Sequence, residues 1–332
     1  MTNIGVVGYG YWGPNVVRNL AENKSCKITS ICELNQEKWE SIRKRYPWVN
    51  ITNDYQDLIN SPQIEAIVIT TPVSTHYSLA KQALENKKHI FVEKPLTDSV
   101  ESAQELVELA KCNACILFVD HTFEYSPAVI KIKEIIDSGQ IGKIHCISSF
   151  RINLGPHRKD VSVISDLAPH DLSMFFYWLN EEPTQISAVG KGFFHEQIFD
   201  IAFITMKFPC GAIANINISW FSPIKSRRMT IIGSEKMIVY DDMASIEKVK
   251  VYDSGVATFR EPESFGQFQL SYRAGDIFSP RLQRYEPLAQ AVNHFLECVR
   301  FGKSPRTDGA DALRVVRAVE LAEESLRRNC SV

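Results

Sequence analysis

The sequence predicts an α/β chain: a doubly wound parallel sheet at the amino end, followed by an α+β part built on a mostly antiparallel sheet. Three observations carry this expectation. Short apolar runs alternate with helical patterns across short connections up to Asp120, which is the grammar of a parallel sheet covered on both faces. A glycine-rich turn, Gly8-Tyr9-Gly10-Tyr11-Trp12-Gly13, follows the first run and opens an apolar helix. From about Ser126 onward, residues alternate between faces along successive strands, as in an antiparallel sheet with one buried side.

The elements follow in order. Strands read at Ile4 to Val7, Lys27 to Cys32, Ala66 to Thr70, His89 to Val92 and Ile116 to Val119. Ala103, Leu106, Val107 and Ala110 recur at helical spacing, so a helix lies on the sheet between the last two. Beyond them come a helix (Pro127 to Asp137), a strand (Lys143 to Phe150), a loop and a helix from Ala168 to Leu179. Further strands read at Ile186 to Gly190, Ile201 to Lys207, Arg228 to Ile232, Met237 to Tyr240 and Glu247 to Tyr252, and Ala212, Ala214, Ile216, Ile218 and Trp220 share one face. Asp253 to Pro287 is the least periodic part, and helical patterns at Ala289 to Arg300 and Asp311 to Arg327 close the chain. The domains expected are 1–122 for a dinucleotide, 123–288 for substrate and self-association, and 289–332 as helices packing back on the first domain.

With 332 residues and 45% hydrophobic composition, the chain has apolar content for two cores. Its 37 basic and 39 acidic residues are interspersed, leaving a net charge of −2 and no basic stripe for nucleic acid or an anionic membrane. No apolar stretch is long enough to span a bilayer, and Met1-Thr2-Asn3 leads straight into a strand, so a cytoplasmic protein is expected. The cysteines are scattered, and Cys112-Asn113-Ala114-Cys115 joins a helix end to a strand start rather than opening a helix. That placement disfavours redox chemistry, and half a site gives no metal centre.

The glycine turn has the chemistry of a pyrophosphate cradle, since glycines let backbone N–H groups and a helix start approach an anion closely. Glu33 ends the second strand, where a carboxylate accepts hydrogen bonds from ribose hydroxyls and repels a 2′-phosphate. Leu34 and Asn35 follow with no arginine, which favours NAD. Thr71 and Pro72, after another strand, are placed to line the same crevice, and His76 starts the next helix, either supporting that lining from outside it or joining it at the cofactor. Phe91-Val92-Glu93-Lys94-Pro95 sets Glu93 and Lys94 at a strand's carboxyl end, where open α/β sheets bind their ligands. In Ser165-Asp166-Leu167-Ala168-Pro169-His170-Asp171, Asp166 reads as an N-cap with Pro169 in the first turn, which puts Asp166 and His170 on one helix face. Dehydrogenating an alcohol needs a base for the hydroxyl proton, and imidazole suits neutral pH. Lys94, whose ordinary pKa is ~10.4, is the better fixed cation for a developing alkoxide.

Together, Gly8-Tyr9-Gly10, Glu93-Lys94-Pro95 and the Asp166/His170 pair resemble the Gfo/Idh/MocA oxidoreductase family. The resemblance implies a Rossmann domain, a second domain with a large open sheet that makes dimers or tetramers, and a catalytic group of Lys94, Asp166 and His170. Val119 to Pro127, Asp166 to Leu172 and Ser219 to Arg228 resemble a branch acting on nucleotide sugars, although Asp120 stands where relatives often carry glycine. That branch implies oxidation of a secondary hydroxyl, C3 of UDP-N-acetylglucosamine first, in step with an aminotransferase. Such a substrate's diphosphate needs cations. Candidates are Arg151, His157, Arg158, Lys225, Arg227, Arg281 and Arg284, with His121, Lys94 and His170 as further substrate contacts. Alternatives are a ketoreductase running in reverse, a dehydrogenase of a free sugar or cyclitol, and a non-catalytic NAD-binding protein.

Overall fold

The structure, a computed structural model, describes residues 1–155, 158, 161–194, 198–257 and 271–329. The chain folds into two compact units, Met1–Tyr125 with Tyr285–Glu320, and Ser126–Arg284 with Leu321–Val332.

In the first unit the elements run β1 (Thr2–Val7), α1 (Gly13–Glu22), β2 (Cys26–Cys32), α2 (Trp39–Arg45), β3 (Asn50–Thr52), α3 (Gln56–Ile59), β4 (Ala66–Ile69), α4 (His76–Glu85), β5 (His89–Glu93), α5 (Val100–Cys112) and β6 (Leu117–Asp120). The six strands pair in the order β3-β2-β1-β4-β5-β6, all parallel. Strand order reverses between β1 and β4, so that edge of the sheet is the switch point where such folds bind ligands. β3 is three residues long, too short to show a period, and so has no counterpart among the strands expected from sequence.

Side chains leave the sheet alternately. Val6, Val68 and Phe91 pack on one face with Val16, Val17 and Leu20 of α1. Val7, Ile67 and Ile69 pack on the other with Ala80 and Leu84 of α4 and Ala103 and Leu106 of α5.

The second unit begins with α6 (Pro127–Asp137), β7 (Ile144–Ile152) and α7 (Val163–Leu179), followed by β8 (Gln185–Lys191), β9 (Ile201–Lys207), β10 (Ile213–Ser219), β11 (Ser226–Gly233), β12 (Met237–Asp241), β13 (Val249–Ala257) and β14 (Ser271–Phe278). These strands form an eight-stranded open sheet, β14-β13-β12-β11-β7-β10-β9-β8, antiparallel except for β7 beside β10. Ala214, Ile216 and Ile218 are buried, as the alternation predicts, with Ile204 and Ile231 beside them. On the opposite face the register lines up Phe150, Asn217, Phe203 and Val189 across four strands. Three of the four are apolar and exposed, at 43%, 52% and 58% for Phe150, Phe203 and Val189.

Two elements correct the sequence expectation. β14 lies inside the stretch read as irregular, where glycines and aromatics obscure its alternation. α7 starts at Val163 rather than Ala168, because Ser162 is the cap: its hydroxyl accepts hydrogen bonds from the Ile164 and Ser165 amides. Asp166 is therefore in the first turn, and Pro169 lies inside the helix.

The C-terminal segment contains α8 (Pro287–Phe301) and α9 (Gly309–Asn329). Leu288, Ala291, Val292 and Phe295 of α8 join the α1 face of the first unit's core, and Ala312 and Val316 of α9 join the other. The far end of α9 serves the second unit: Glu323 accepts hydrogen bonds from the Ser162 and Ser165 hydroxyls, and Ser325 accepts one from the Ala188 amide. No described helix is long and apolar enough to cross a membrane.

Candidate active site

The glycine loop is built to a tight tolerance. Gly8 has φ +91°, and a Cβ there would lie 2.9 Å from Thr71 Cγ2 and 3.1 Å from the Thr70 backbone. A Cβ on Gly13 would meet the Gly8 carbonyl at 2.8 Å. Gly10 differs, because a Cβ there would meet nothing within 4 Å. Glycine at this position is not required by packing of the chain itself, so the open space above it fits a pyrophosphate approaching the backbone. α1 begins at Gly13 with proline in its first turn and no side-chain cap from Trp12, which leaves a helix N-terminus facing an anion site. Tyr11 is exposed beside it.

Tyr9 and Glu33 are hydrogen-bonded to each other within the chain. The Tyr9 ring is buried in the core, and its amide donates to Glu33 Oε2 at 2.6 Å. Glu33 Oε1 accepts the Asn35 amide at 2.8 Å, and the carboxylate is 7% exposed. Glu33 thus ties the glycine loop to the end of β2, and the Tyr9 amide is already committed. Each carboxylate oxygen retains capacity for a second donor, so a ribose hydroxyl remains compatible with Glu33. Sequence reasoning missed Lys38, whose ammonium lies 3.6 Å from Glu33.

His76 takes the supporting place and not the lining one. It is 1% exposed, with Nδ1 and Nε2 each 2.9 Å from a carbonyl oxygen, those of Pro95 and Thr71. Its ring joins the loop after β4 to the loop after β5 rather than facing a cofactor. Burial lowers its pKa despite these carbonyls. Thr70 supplies a tether that sequence reasoning also missed, donating its hydroxyl to the Gly8 carbonyl at 2.8 Å. Thr71 and Pro72 follow on the same exit loop, with the Thr71 hydroxyl 2.7 Å from that of Thr75.

Glu93 ends β5 in register with Asp120, which ends β6. Lys94 and Pro95 follow, joined by a cis peptide. His121 is 2% exposed, and neither ring nitrogen has a hydrogen-bond partner among the described residues. Burial first, and then the nearby Lys94 charge, push its pKa down to about 3, so it is neutral.

In the second unit Asp166 and His170 lie one turn apart on α7. Asp166 is held from two sides: the Trp220 indole donates to Oδ2 at 3.1 Å, and Arg158 approaches Oδ1 at 3.5 Å. Trp220 was legible in sequence only as an inward-facing strand residue. Asp171, next to His170, is fully buried and receives Ser149 Oγ at 2.7 Å and Arg151 Nε at 2.7 Å.

Among the expected diphosphate cations, Arg151 is therefore a buried ion-pair residue, 4% exposed, and not an open one. Arg227 sits 3.5 Å from Asp242. Lys225, Arg281 and Arg284 are exposed. His157 lies outside the described residues.

A parallel sheet with this cradle at its switch point is a dinucleotide-binding fold, here carried with a second, open-sheet unit. The model "Oxidoreductase family, NAD-binding Rossmann fold" matches residues 2–121, and that of the GFO/IDH/MocA C-terminal domain matches 129–239. The chain belongs to the Gfo/Idh/MocA family. It is 27% identical to scyllo-inositol 2-dehydrogenase (NAD(+)) of Bacillus subtilis, over 98% of this chain and 94% of that one. It is 24% identical to myo-inositol 2-dehydrogenase of Thermotoga maritima, over 99% and 97%. Its fold matches UDP-N-acetylglucosamine 3-dehydrogenase from Acidithiobacillus ferrooxidans with a TM-score of 0.82 at 22% identity, covering 99% of each chain.

Proposed function

We propose that this protein oxidises a secondary ring hydroxyl of a nucleotide sugar to a ketone, with C3 of UDP-N-acetylglucosamine the first candidate. Bound NAD supplies the hydride acceptor. His170 takes the hydroxyl proton, Lys94 holds positive charge where the alkoxide develops, and Asp166 orients the group. The observation that carries this reading is the fixing of Asp166 by Trp220 and Arg158, one turn from His170. A carboxylate held by two donors is fixed in position one turn from the imidazole, where side chains four residues apart on a helix meet. Exposed Lys225, Arg281 and Arg284 support an anionic substrate.

A free cyclitol is the second reading. It is favoured by the engagement of Arg151 and Arg227 in ion pairs, which leaves fewer cations for a diphosphate, and by the inositol dehydrogenases among the relatives. The apolar row of Phe150, Phe203 and Val189 supports self-association through the open sheet, and an aminotransferase is the expected consumer of the ketone.

The test is NADH formation with UDP-N-acetylglucosamine, myo-inositol and scyllo-inositol in parallel, with a carbonyl trap to draw off ketone. Turnover with the nucleotide sugar alone is the expected result. Turnover confined to an inositol selects the second reading, and silence with all three overturns both.

A further inference from the structure

Glu93 and Asp120 stand side by side at the carboxyl ends of neighbouring parallel strands. Asp120 is 1% exposed, and its Oδ1 accepts the Thr122 hydroxyl at 2.9 Å. Glu93 Oε1 and Asp120 Oδ2 are both buried with no hydrogen-bond partner among the described residues. Two ionised carboxylates have no hydrogen to place between them, whereas a single proton gives one a donor and the other an acceptor.

The groups facing the pair reinforce this. Burial and the Asp120 charge raise the Glu93 pKa more strongly than Lys94 lowers it. Burial raises that of Asp120 more strongly than the neighbouring Glu93 and Thr122 lower it. His121 is neutral. Tyr125, its pKa raised chiefly by burial, is neutral as well. Lys94 is therefore the cation among these groups, and the carboxyl pair is the element free to change charge.

We propose that Glu93 and Asp120 share one proton beside Lys94, and that this pair couples the protonation of the protein to the redox state of the bound nicotinamide. An oxidised nicotinamide carries a positive charge that favours loss of the shared proton, and a reduced one does not. By linkage, NADH binding takes up more protons than NAD+ binding, and the ratio of the NADH to the NAD+ dissociation constant rises with pH across the ionisation of the pair. This coupling presupposes the NAD site and not the sugar reading. The pair stands at the carboxyl ends of β5 and β6, the edge of the sheet where the glycine loop also lies, so it belongs to the cofactor's surroundings.

Calorimetric titration of the full chain with NAD+ and with NADH, in buffers of different ionisation enthalpy from about pH 6 to 9, reads the proton count directly. The expected result is greater uptake with NADH, by up to about one proton. Asp120→Asn and Glu93→Gln abolish the difference, and Asp120→Glu keeps it. Equal counts for the two cofactor forms in the wild-type protein, or a difference that survives both amide variants, overturns the proposal. If an amide variant does not fold, carboxyl-labelled wild-type protein decides by NMR: the Asp120 resonance moves when NADH replaces NAD+, and an unmoved resonance overturns the proposal.

Discussion

Asp171→Asn is the perturbation whose size follows most directly from the structure. The Asp171 side chain is 0% exposed and that of Arg151 5%, with Arg151 NH2 2.6 Å from Asp171 Oδ1 and Ser149 Oγ bonded to the other oxygen. Asparagine preserves shape but removes the charge, leaving a guanidinium buried without its carboxylate. Breaking a buried pair in this way costs roughly 3–5 kcal/mol. Asp242 lies within electrostatic reach of Arg151, so a loss near the lower end, about 3 kcal/mol, is expected. Urea unfolding combined with hydrogen exchange in β7 and α7 measures it. The pair joins those two elements, and Asp171 adjoins His170, so turnover falls while NADH affinity is kept. The double variant Arg151→Met/Asp171→Leu replaces both charges with apolar volume and is expected to recover to within about 1 kcal/mol of wild type. A single variant within about 1 kcal/mol of wild type, or a double variant no better than the single, refutes the reasoning.

Two further predictions test the cofactor unit. Gly10→Ala adds a Cβ into open space, so stability changes by less than about 0.5 kcal/mol while NADH affinity, read by fluorescence titration, falls at least tenfold. Gly8→Ala instead forces alanine into φ +91° against Thr71, at a stability cost of about 1–3 kcal/mol; equal effects of the two variants on stability and affinity contradict the assignment of the loop. His121, with its pKa near about 3 in the fold and ~6.5 when unfolded, takes up its proton only on unfolding. Its stabilisation is complete above the unfolded value and declines as pH falls towards the folded one, by roughly 2 kcal/mol between pH 7 and 5. His121→Leu removes that slope, and denaturation curves for wild type and variant that stay parallel over this range exclude the prediction.

Short-range chemistry was legible in the sequence because it depends on spacing within one element. The glycine turn, the alternation of Ala214, Ile216 and Ile218, and the placing of Asp166 and His170 on one face are of this kind. What escaped depends on partners distant in the chain. Nothing near Arg151 shows that Asp171, across a loop, neutralises it, and nothing near Asp166 announces Trp220 from another strand. The same holds for Glu93 and Asp120, which only the parallel register of β5 and β6 sets side by side. The start of α7 was misplaced for a different reason: proline is common in a first helical turn, and Pro169 drew the boundary away from the Ser162 cap. Glu33 follows β2 directly, but its hydrogen bond to the Tyr9 amide requires the folded loop.

The most direct test of the central claim, that Lys94, Asp166 and His170 carry out hydride transfer from a sugar hydroxyl to NAD, is single-turnover isotope transfer. UDP-N-acetylglucosamine deuterated at C3 is mixed with the protein and NAD, and the cofactor is analysed by mass. Deuterium appears in the NADH formed by the wild-type protein, while Lys94→Met and His170→Asn bind NADH normally and transfer it at least 100-fold more slowly. Transfer at the wild-type rate in either variant, or undeuterated NADH from the wild-type protein, contradicts the account.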